Sequence, residues 1–435
     1  MQQLGPIELA EGVRRSHAMA MFFAAFTTIG LLTFVSVGTP YVLNENLHIP
    51  PDEQGRVSAN LVVWTEITQL LTFTLFGVMA DRIGRRQVYA LGYFVMALGY
   101  ALYPYAETTG ELTLYRIVYA LGIAAATCML ATVVSDYPRE ASRGRMVATT
   151  GIFNGLGIVL LTLVFGRLPR WFAQAGVDDL TAGRYTHLIV AAVAVLSGLV
   201  VAFGLKPGLE VRKEERPSIG HLLVSGFRAA RNPRVALAYA SAFVARGDLV
   251  ILGTFTNLWG QAAALESGLS SSDAMVKGKM LFVVAQAAAL PWAACVFFLI
   301  DRFRRVTGLA LCMGLAAIGY ASMYLVVNPL DSSSLPLFAL LGIGQISAFF
   351  GATALIGQEA PLAERASVIA MFNFCGAIGI LVTSKLGGYL YDHVGPPTPF
   401  VMIGILNLVV VAAAVIVRAR SPGPGPREAG TTVLT

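Results

Sequence analysis

The sequence predicts an all-α membrane protein: twelve transmembrane helices in two pseudo-symmetric six-helix bundles. Three observations predict it. The 435 residues are 56% hydrophobic and 13% charged, with a mean hydropathy of +0.68. Soluble domains carry about 25% charged residues, so this chain lacks the polar surface to wet a globule. Twelve apolar segments recur along it, each near the ~20 residues that cross about 30 Å of hydrocarbon. One long polar interruption divides them six and six.

The segments run over 19–43, 57–80, 86–105, 112–135, 146–166, 186–205, 236–260, 275–299, 306–327, 335–357, 366–389 and 398–417. Backbone amides in lipid must bond internally, so each segment reads as a helix. The period-2 alternation of a barrel is absent. The first apolar run follows Arg14 and Arg15 but exceeds the ~7–15 residues of a signal-peptide core, so it is read as a retained helix. The resulting plan is a cytoplasmic N-terminus (1–18), a first bundle (19–206), a cytoplasmic linker (207–235), a second bundle (236–418) and a disordered tail (419–435). The linker holds Pro207, Pro217, Pro233 and the run Arg212-Lys213-Glu214-Glu215-Arg216. The tail contains Ser421-Pro422-Gly423-Pro424-Gly425-Pro426, which breaks helices.

Basic residues set the orientation. With the N-terminus inside, 22 of the 31 lysines and arginines fall on the cytoplasmic side. Six fall outside (Arg56, Arg167, Arg170, Arg184, Lys277, Lys279). This positive-inside bias places both termini in the cytoplasm and the protein in the cytoplasmic membrane as a multi-pass chain. It also accounts for the net charge of +6 without nucleic acid as a partner.

The two halves repeat. Residues 81–100 and 301–320 agree without gaps at 8 of 20 positions, including Asp81/Asp301, Arg85/Arg305 and Gly99-Tyr100/Gly319-Tyr320. Parallel duplicated halves mark transporters that rock around a site between them.

Gly77-Val78-Met79-Ala80-Asp81-Arg82-Ile83-Gly84-Arg85-Arg86 fits G-x-x-x-D-[RK]-x-G-[RK]-[RK] at every fixed position. Lying between the second and third segments, it resembles the signature loop of the major facilitator superfamily. Arg116-Ile117-Val118-Tyr119-Ala120-Leu121-Gly122 looks like that family's looser second motif. The resemblance implies that Asp81 latches the two halves on the inside through polar contacts with the start of span eleven; Gly77 would let two helices approach closely, and Arg82 and Gly84 are counted with them as latch residues. Arg85 and Arg86 are placed to pair with Asp136. For Arg82 a purely topological role is equally open. Asp301 heads the weaker second-half copy, in which Phe297 and Arg304 replace the two glycines. Exporters of drugs in this family often carry a Gly-Pro-Gly-Gly-type motif in the fifth helix. Here that segment has Gly151, Gly155, Gly157 and Gly166 but no proline, which counts against drug export.

Charges within the spans are costly, about 2.5–3.5 kcal/mol even on lenient scales, and point to function. Five occur: Glu66, Arg116, Arg246, Asp248 and Lys385. Rise per residue places Arg246 and Asp248 near mid-membrane and Glu66 deep in the second helix. Arg116 and Lys385 lie toward the outer surface. Lys385 reads as snorkelling; for Arg116 snorkelling and a cavity-facing role both stand, and the family resemblance implies the cavity. Thr65, Glu66, Gln69 and Thr72 form one polar stripe. The repeat offset pairs Glu66 with Gln286. Arg246, Gly253 and Asn257 share a face, whereas Asp248 points about 200° from Arg246 and cannot pair with it in a regular helix. Since the resemblance places spans one, four, seven and ten around the cavity, Arg246 is the first candidate for substrate contact. For Asp248 a buried inter-helix hydrogen bond is an equal alternative. Asn154, Gln345 and Asn373 read as cavity-lining residues or as interhelical glue.

Neither a Walker A sequence nor a nucleophile elbow is present. Cys128, Cys295, Cys312 and Cys375 read as apolar packing, and the five histidines, read as lying near segment ends, form no metal-ligand pattern. No enzyme activity, cofactor or metal is expected. The expected function is a secondary active transporter moving a small organic solute, anionic in character, by proton-coupled alternating access. Arg246, Asn257, Arg116, Gln286, Gln345 and Asn373 are the candidate substrate contacts, and Glu66 and Asp248 the proton carriers. The expected partners are that solute, protons or another coupling ion such as sodium, and the lipid bilayer. Two alternatives stand: a proton-driven exporter of amphipathic or cationic compounds that uses Glu66, and a non-transporting sensor or assembly partner.

Overall fold

The computed structural model describes residues 3–208, 219–361 and 364–421. The linker's charge run and all but the start of the tail lie outside them. A short hairpin of β1 (Gln3–Leu4) and β2 (Ile7–Glu8) precedes fourteen helices. These are α1 (Arg15–Glu45), α2 (Gln54–Ile83), α3 (Arg85–Leu102), α4 (Thr109–Asp136), α5 (Arg143–Phe165), α6 (Leu168–Gln174) and α7 (Asp179–Gly204). There follow α8 (Ile219–Ala229), α9 (Pro233–Glu266), α10 (Ser271–Arg302), α11 (Arg305–Ala321), α12 (Leu335–Glu359), α13 (Arg365–His393) and α14 (Thr398–Arg420).

Setting aside the short α6 and α8, twelve helices match the twelve apolar segments one for one. Eleven helices among the described residues are long and apolar enough to cross a membrane. The remaining one, α3, opens on Arg85-Arg86-Gln87 and carries three tyrosines, which lower its hydropathy. Those tyrosines are buried and satisfied. Tyr89 bonds Thr28 (2.9 Å), Tyr93 bonds Thr27 and Thr28 (2.6 and 2.7 Å), and Tyr100 donates to the Leu31 carbonyl.

Local chemistry sets the helix ends. Thr108 caps α4 by accepting from the Glu111 amide (3.1 Å), and Asp178 caps α7 by accepting from Thr181 (2.9 Å). Gly84 joins α2 to α3 at φ +98°, a conformation side-chain-bearing residues rarely adopt. That is the physical reason for the second glycine of the loop motif.

Contacts divide the chain into two compact units: Met1–Lys213 with Gly260–Val283, and Glu214–Trp259 with Val284–Thr435. In the first, α3 packs on α4 and α7, and α1 on α5. Close approach of α3 and α4 needs a missing side chain: a Cβ on Gly122 would lie 2.2 Å from the Met96 amide nitrogen. In the second, α11 packs on α12 and α14, and α8 on α13. Large apolar residues are exposed on the outside, such as Leu71 (71%), Leu75 (64%) and Phe203 (82%). Apolar surface of this kind suits lipid rather than water.

Candidate functional site

In the first unit the polar stripe of α2 meets an arginine from α4. The Thr65 hydroxyl donates to the Leu61 carbonyl (2.7 Å), which leaves its lone pairs to accept from Arg116 Nε (2.8 Å). The Arg116 guanidinium stands 5.2 Å from the centre of the Tyr119 ring. Arg116 is 4% exposed, and its Nη1 has no hydrogen-bond partner among the described residues. Glu66, next to Thr65, is half-buried.

In the second unit Arg246 and Asp248 diverge as helix phase requires. Arg246 donates through Nη2 to Asn373 Oδ1 on α13 (3.0 Å). Its stem lies across Gly376, where a Cβ would come within 2.5 Å of Arg246 Cγ. Gly376 therefore decides where the guanidinium rests, and sequence reasoning missed it. Asp248 is fully buried, and neither carboxyl oxygen has a hydrogen-bond partner among the described residues. Its backbone carbonyl accepts from Tyr320 of α11 (2.6 Å). Asn257 is buried, its amide donating to the Gly253 carbonyl (2.7 Å) and its Oδ1 without a hydrogen-bond partner among the described residues. Gln345 is buried and Gln286 half-buried.

At the signature loop Arg85 forms an ion pair with Asp136 at the end of α4. Asp81 and Arg82 are exposed, and Gly77 and Arg86 are half-buried. The side chain of Asp301 lies outside the described residues. In the second unit Glu359 ends α12 much as Asp136 ends α4, yet it pairs with Arg234 of α9 (2.9 Å). No motif in the sequence signals that pair.

Two groups correct the sequence reading. His187, taken as a residue near a segment end, lies two turns inside α7, is 2% exposed and is surrounded by Phe34, Tyr100 and Tyr103. Its Nδ1 bonds the Gly183 carbonyl (2.9 Å), and Nε2 faces Gly38 without a partner among the described residues. Lys279, counted with the outer loops, is fully buried in α10 and donates to the Leu163 carbonyl near the end of α5 (3.1 Å). Around it the first unit holds Gly260–Val283 by several polar bonds. Gln261 donates to the Val37 carbonyl (2.9 Å), Asn44 to Ser271 (2.6 Å), Ser272 to Asp179, and Arg170 pairs with Asp273 (3.0 Å).

The chain belongs to the major facilitator superfamily, whose family model matches residues 21–384 and 266–434. It is thus a multi-pass membrane protein of a transporter family, and that family implies a small-molecule substrate. Among its relatives is Magnetosome protein MamH of Paramagnetospirillum magneticum, 29% identical over 424 residues that cover 96% of this chain and 95% of MamH. Magnetosome protein MamZ of the same organism is 24% identical over 412 residues, 91% of this chain but only 62% of MamZ. The solved structure of the nucleoside transporter NupG has the same fold, with a TM-score of 0.68, 15% identity, and coverage of 92% of this chain and 98% of NupG.

Proposed function

We propose that the protein is a secondary active transporter of a small organic anion, driven by protons through alternating access. The observation that carries the anion is Arg116. A guanidinium presents five N–H donors in a plane and matches a carboxylate or phosphate in pairs. Here Thr65 takes one donor, and buried Nη1 has no partner among the described residues. A buried charged donor left unpaired costs more than the ~1–3 kcal/mol of a neutral one, so the site is completed by an acceptor from outside. Within the second unit Arg246, held by Asn373, is the cationic candidate, and Asn257, Gln286 and Gln345 are the neutral ones.

Proton coupling rests on Asp248, with Glu66 as the second carrier. The Asp248 carboxyl group is fully buried, with no hydrogen-bond partner for either oxygen among the described residues, and a proton carrier needs a carboxyl group shielded from bulk water. The loop residues Gly77, Asp81, Arg82, Gly84, Arg85, Arg86, Asp136 and Asp301 would then latch one conformation. The positive-inside bias supports a cytoplasmic-membrane location with both termini inside.

The test is ligand-induced thermal stabilisation of the purified protein, screening mono- and dicarboxylates and phosphate esters against lipophilic cations. Stabilisation by an anion that disappears in Arg116→Gln is the expected result. Stabilisation by cations alone, unchanged in that variant, overturns the anion reading in favour of export. A second reading, an assembly or sensing role, draws on the two relatives named as magnetosome proteins. Solute binding without flux in sealed proteoliposomes would favour it.

A further inference from the structure

Among long spanning helices α8 stands apart. Its eleven residues rise only about 16 Å, roughly half of what crossing the hydrocarbon takes. It is tied instead to one end of the second unit. A Cβ on Gly226 would lie 2.6 Å from the Ser367 carbonyl oxygen and 2.7 Å from Met371 Cβ, so α8 meets α13 closely. The Tyr239 hydroxyl of α9 donates to the Gly226 carbonyl (2.9 Å). Past α8 the chain turns at once into α9. There the Arg234 amide donates to Asn232 Oδ1 (3.0 Å), and the Arg234 side chain pairs with Glu359. Val224 and Phe227, three residues apart on one face, stay exposed, as does Arg228 next in sequence. Apolar and basic side chains together on a short helix suit the boundary between hydrocarbon and headgroups.

Tyr239 also belongs to the wall of an apolar groove of about 360 Å³, with Phe243 of α9, Cys375 and Ile378 of α13, and Leu406 and Val410 of α14. These residues stand five to thirteen positions from Arg234, Arg365 and Arg418 on their own helices, or about 8–20 Å along the axis. That is the depth of the acyl chains of one leaflet, since the hydrocarbon core is about 30 Å thick. The end of the unit at which α8 lies is basic. Residues 228–234, 359–365 and 418–420 hold six arginines against two glutamates, Glu364 and the Glu359 already engaged by Arg234. Arg228, Arg231, Arg365, Arg418 and Arg420 are exposed, and none of them forms an ion pair among the described residues.

We propose that this groove binds an anionic phospholipid of the leaflet that faces α8, with one acyl chain between α9, α13 and α14 and the headgroup at Arg228 and Arg231. Charge complementarity selects this occupant. A groove at acyl-chain depth that ends in an excess of arginine matches an apolar tail joined to an anionic head, and it matches neither a wholly apolar molecule nor a lipophilic cation. Because α8 both carries the headgroup arginines and packs on α13, an occupied groove would hold α8 at the membrane surface. The site lies within the second unit and stands or falls independently of what the protein carries.

The experiment uses the full chain in bilayers of equal phosphatidylglycerol and phosphatidylcholine. Each lipid in turn carries a photoreactive diazirine in its acyl chain, and the labelled peptides are mapped. Three variants run alongside, all at exposed positions: Arg228→Gln/Arg231→Gln, the charge-keeping Arg228→Lys/Arg231→Lys, and Ala240→Trp, which fills the groove from its wall. The expected result is that phosphatidylglycerol labels the groove segments of α9, α13 and α14 several-fold more than phosphatidylcholine does. That preference should fall about fivefold for each arginine removed, persist in the lysine pair, and vanish with the label itself in Ala240→Trp. Equal labelling by the two lipids, or a preference unchanged in the glutamine pair, overturns the headgroup site. Unchanged labelling in Ala240→Trp overturns the acyl groove. Displacement of the label by a lipophilic cation but not by unlabelled phosphatidylglycerol would make the groove a site for cationic solutes and overturn the proposal as well.

Discussion

Gly157→Ala tests whether α1 and α5 touch backbone to backbone. A Cβ on Gly157 would lie 2.0 Å from the Phe26 carbonyl oxygen, 2.9 Å from its carbon and 3.1 Å from its Cα. An ordinary carbon–oxygen contact is about 3.3 Å, so the helices must separate by more than an ångström. No rotamer relieves the clash, because every atom it meets is main chain. Separation would also loosen the stacked rings of Phe22 and Phe153, whose centroids are 5.1 Å apart. Overpacking costs about 1–3 kcal/mol, and a main-chain clash belongs at the upper end. At ~2–4 °C per kcal/mol for a body of this size, the midpoint should fall by roughly 6–12 °C. Gly151→Ala, on the same helix, is the control: nothing lies within 4 Å of its added Cβ. That variant should be neutral or gain up to about 1 kcal/mol in helix propensity. Thermal unfolding of both variants, followed by loss of monodisperse protein, reads the difference. Equal midpoints for the two variants would refute the α1–α5 geometry.

Arg116→Lys should lower solute uptake about tenfold or more despite keeping the charge, because an ammonium lacks the planar fork; uptake equal to the unmodified protein removes Arg116 from the site. Asp248→Asn should abolish proton-driven accumulation in proteoliposomes but preserve solute exchange at equal pH, whereas full accumulation in both Asp248→Asn and Glu66→Gln defeats the coupling assignment. Lys279→Met should leave stability unchanged or raise it, because burying an ammonium costs desolvation that an apolar side chain of similar length avoids; a clear loss in the unfolding midpoint would mean that the ammonium has a stronger partner than Leu163. The exposed carboxyl of Asp178 is held below the usual carboxylate range mainly by the Thr181 backbone amide. Its cap on α7 is therefore complete at neutral pH and lost as pH falls through that lowered value, which hydrogen exchange at the Thr181 amide would register as protection at pH 7 and none in strong acid.

The fold was legible because its signals add along the chain. Apolar run length, the inside bias of arginine and lysine, and the repeat at Asp81 and Asp301 need no knowledge of which helix faces which. Part of the site was legible for the same reason. Helix phase alone put Thr65 and Glu66 on one stripe and separated Arg246 from Asp248, and Arg246 does lie against α13 while Asp248 is buried elsewhere in its unit. What phase cannot supply is the partner. That Arg116 meets Thr65, that Gly376 seats Arg246, and that Glu359 pairs with Arg234 are facts about facing helices. The N-terminal arm was read only as a tail, although Ile7, Leu9 and Val13 are buried and the Glu8 carbonyl accepts from the Arg139 amide (2.9 Å). A dozen residues are too few for periodicity to speak.

Lys279 shows how a local signal misleads. In the sequence it stands in Lys277-Gly278-Lys279 ahead of an apolar run, so it counts as an outer-loop charge. Gly278 is what undoes that reading: a Cβ there would lie 2.5 Å from the Gln261 amide nitrogen and 2.6 Å from the Gly260 carbonyl carbon, so α9 and α10 meet at that level. Gly166 completes the burial, since a Cβ on it would lie 2.4 Å from Lys279 Cδ. Glycines before an apolar run can thus mark helix contact rather than a loop, and a lysine between them can be buried rather than solvated. Removing Lys279 from the outer set lowers it from six to five against the 22 basic residues on the other side. The ammonium of Lys279 contributes to helix packing rather than to the charge of a loop.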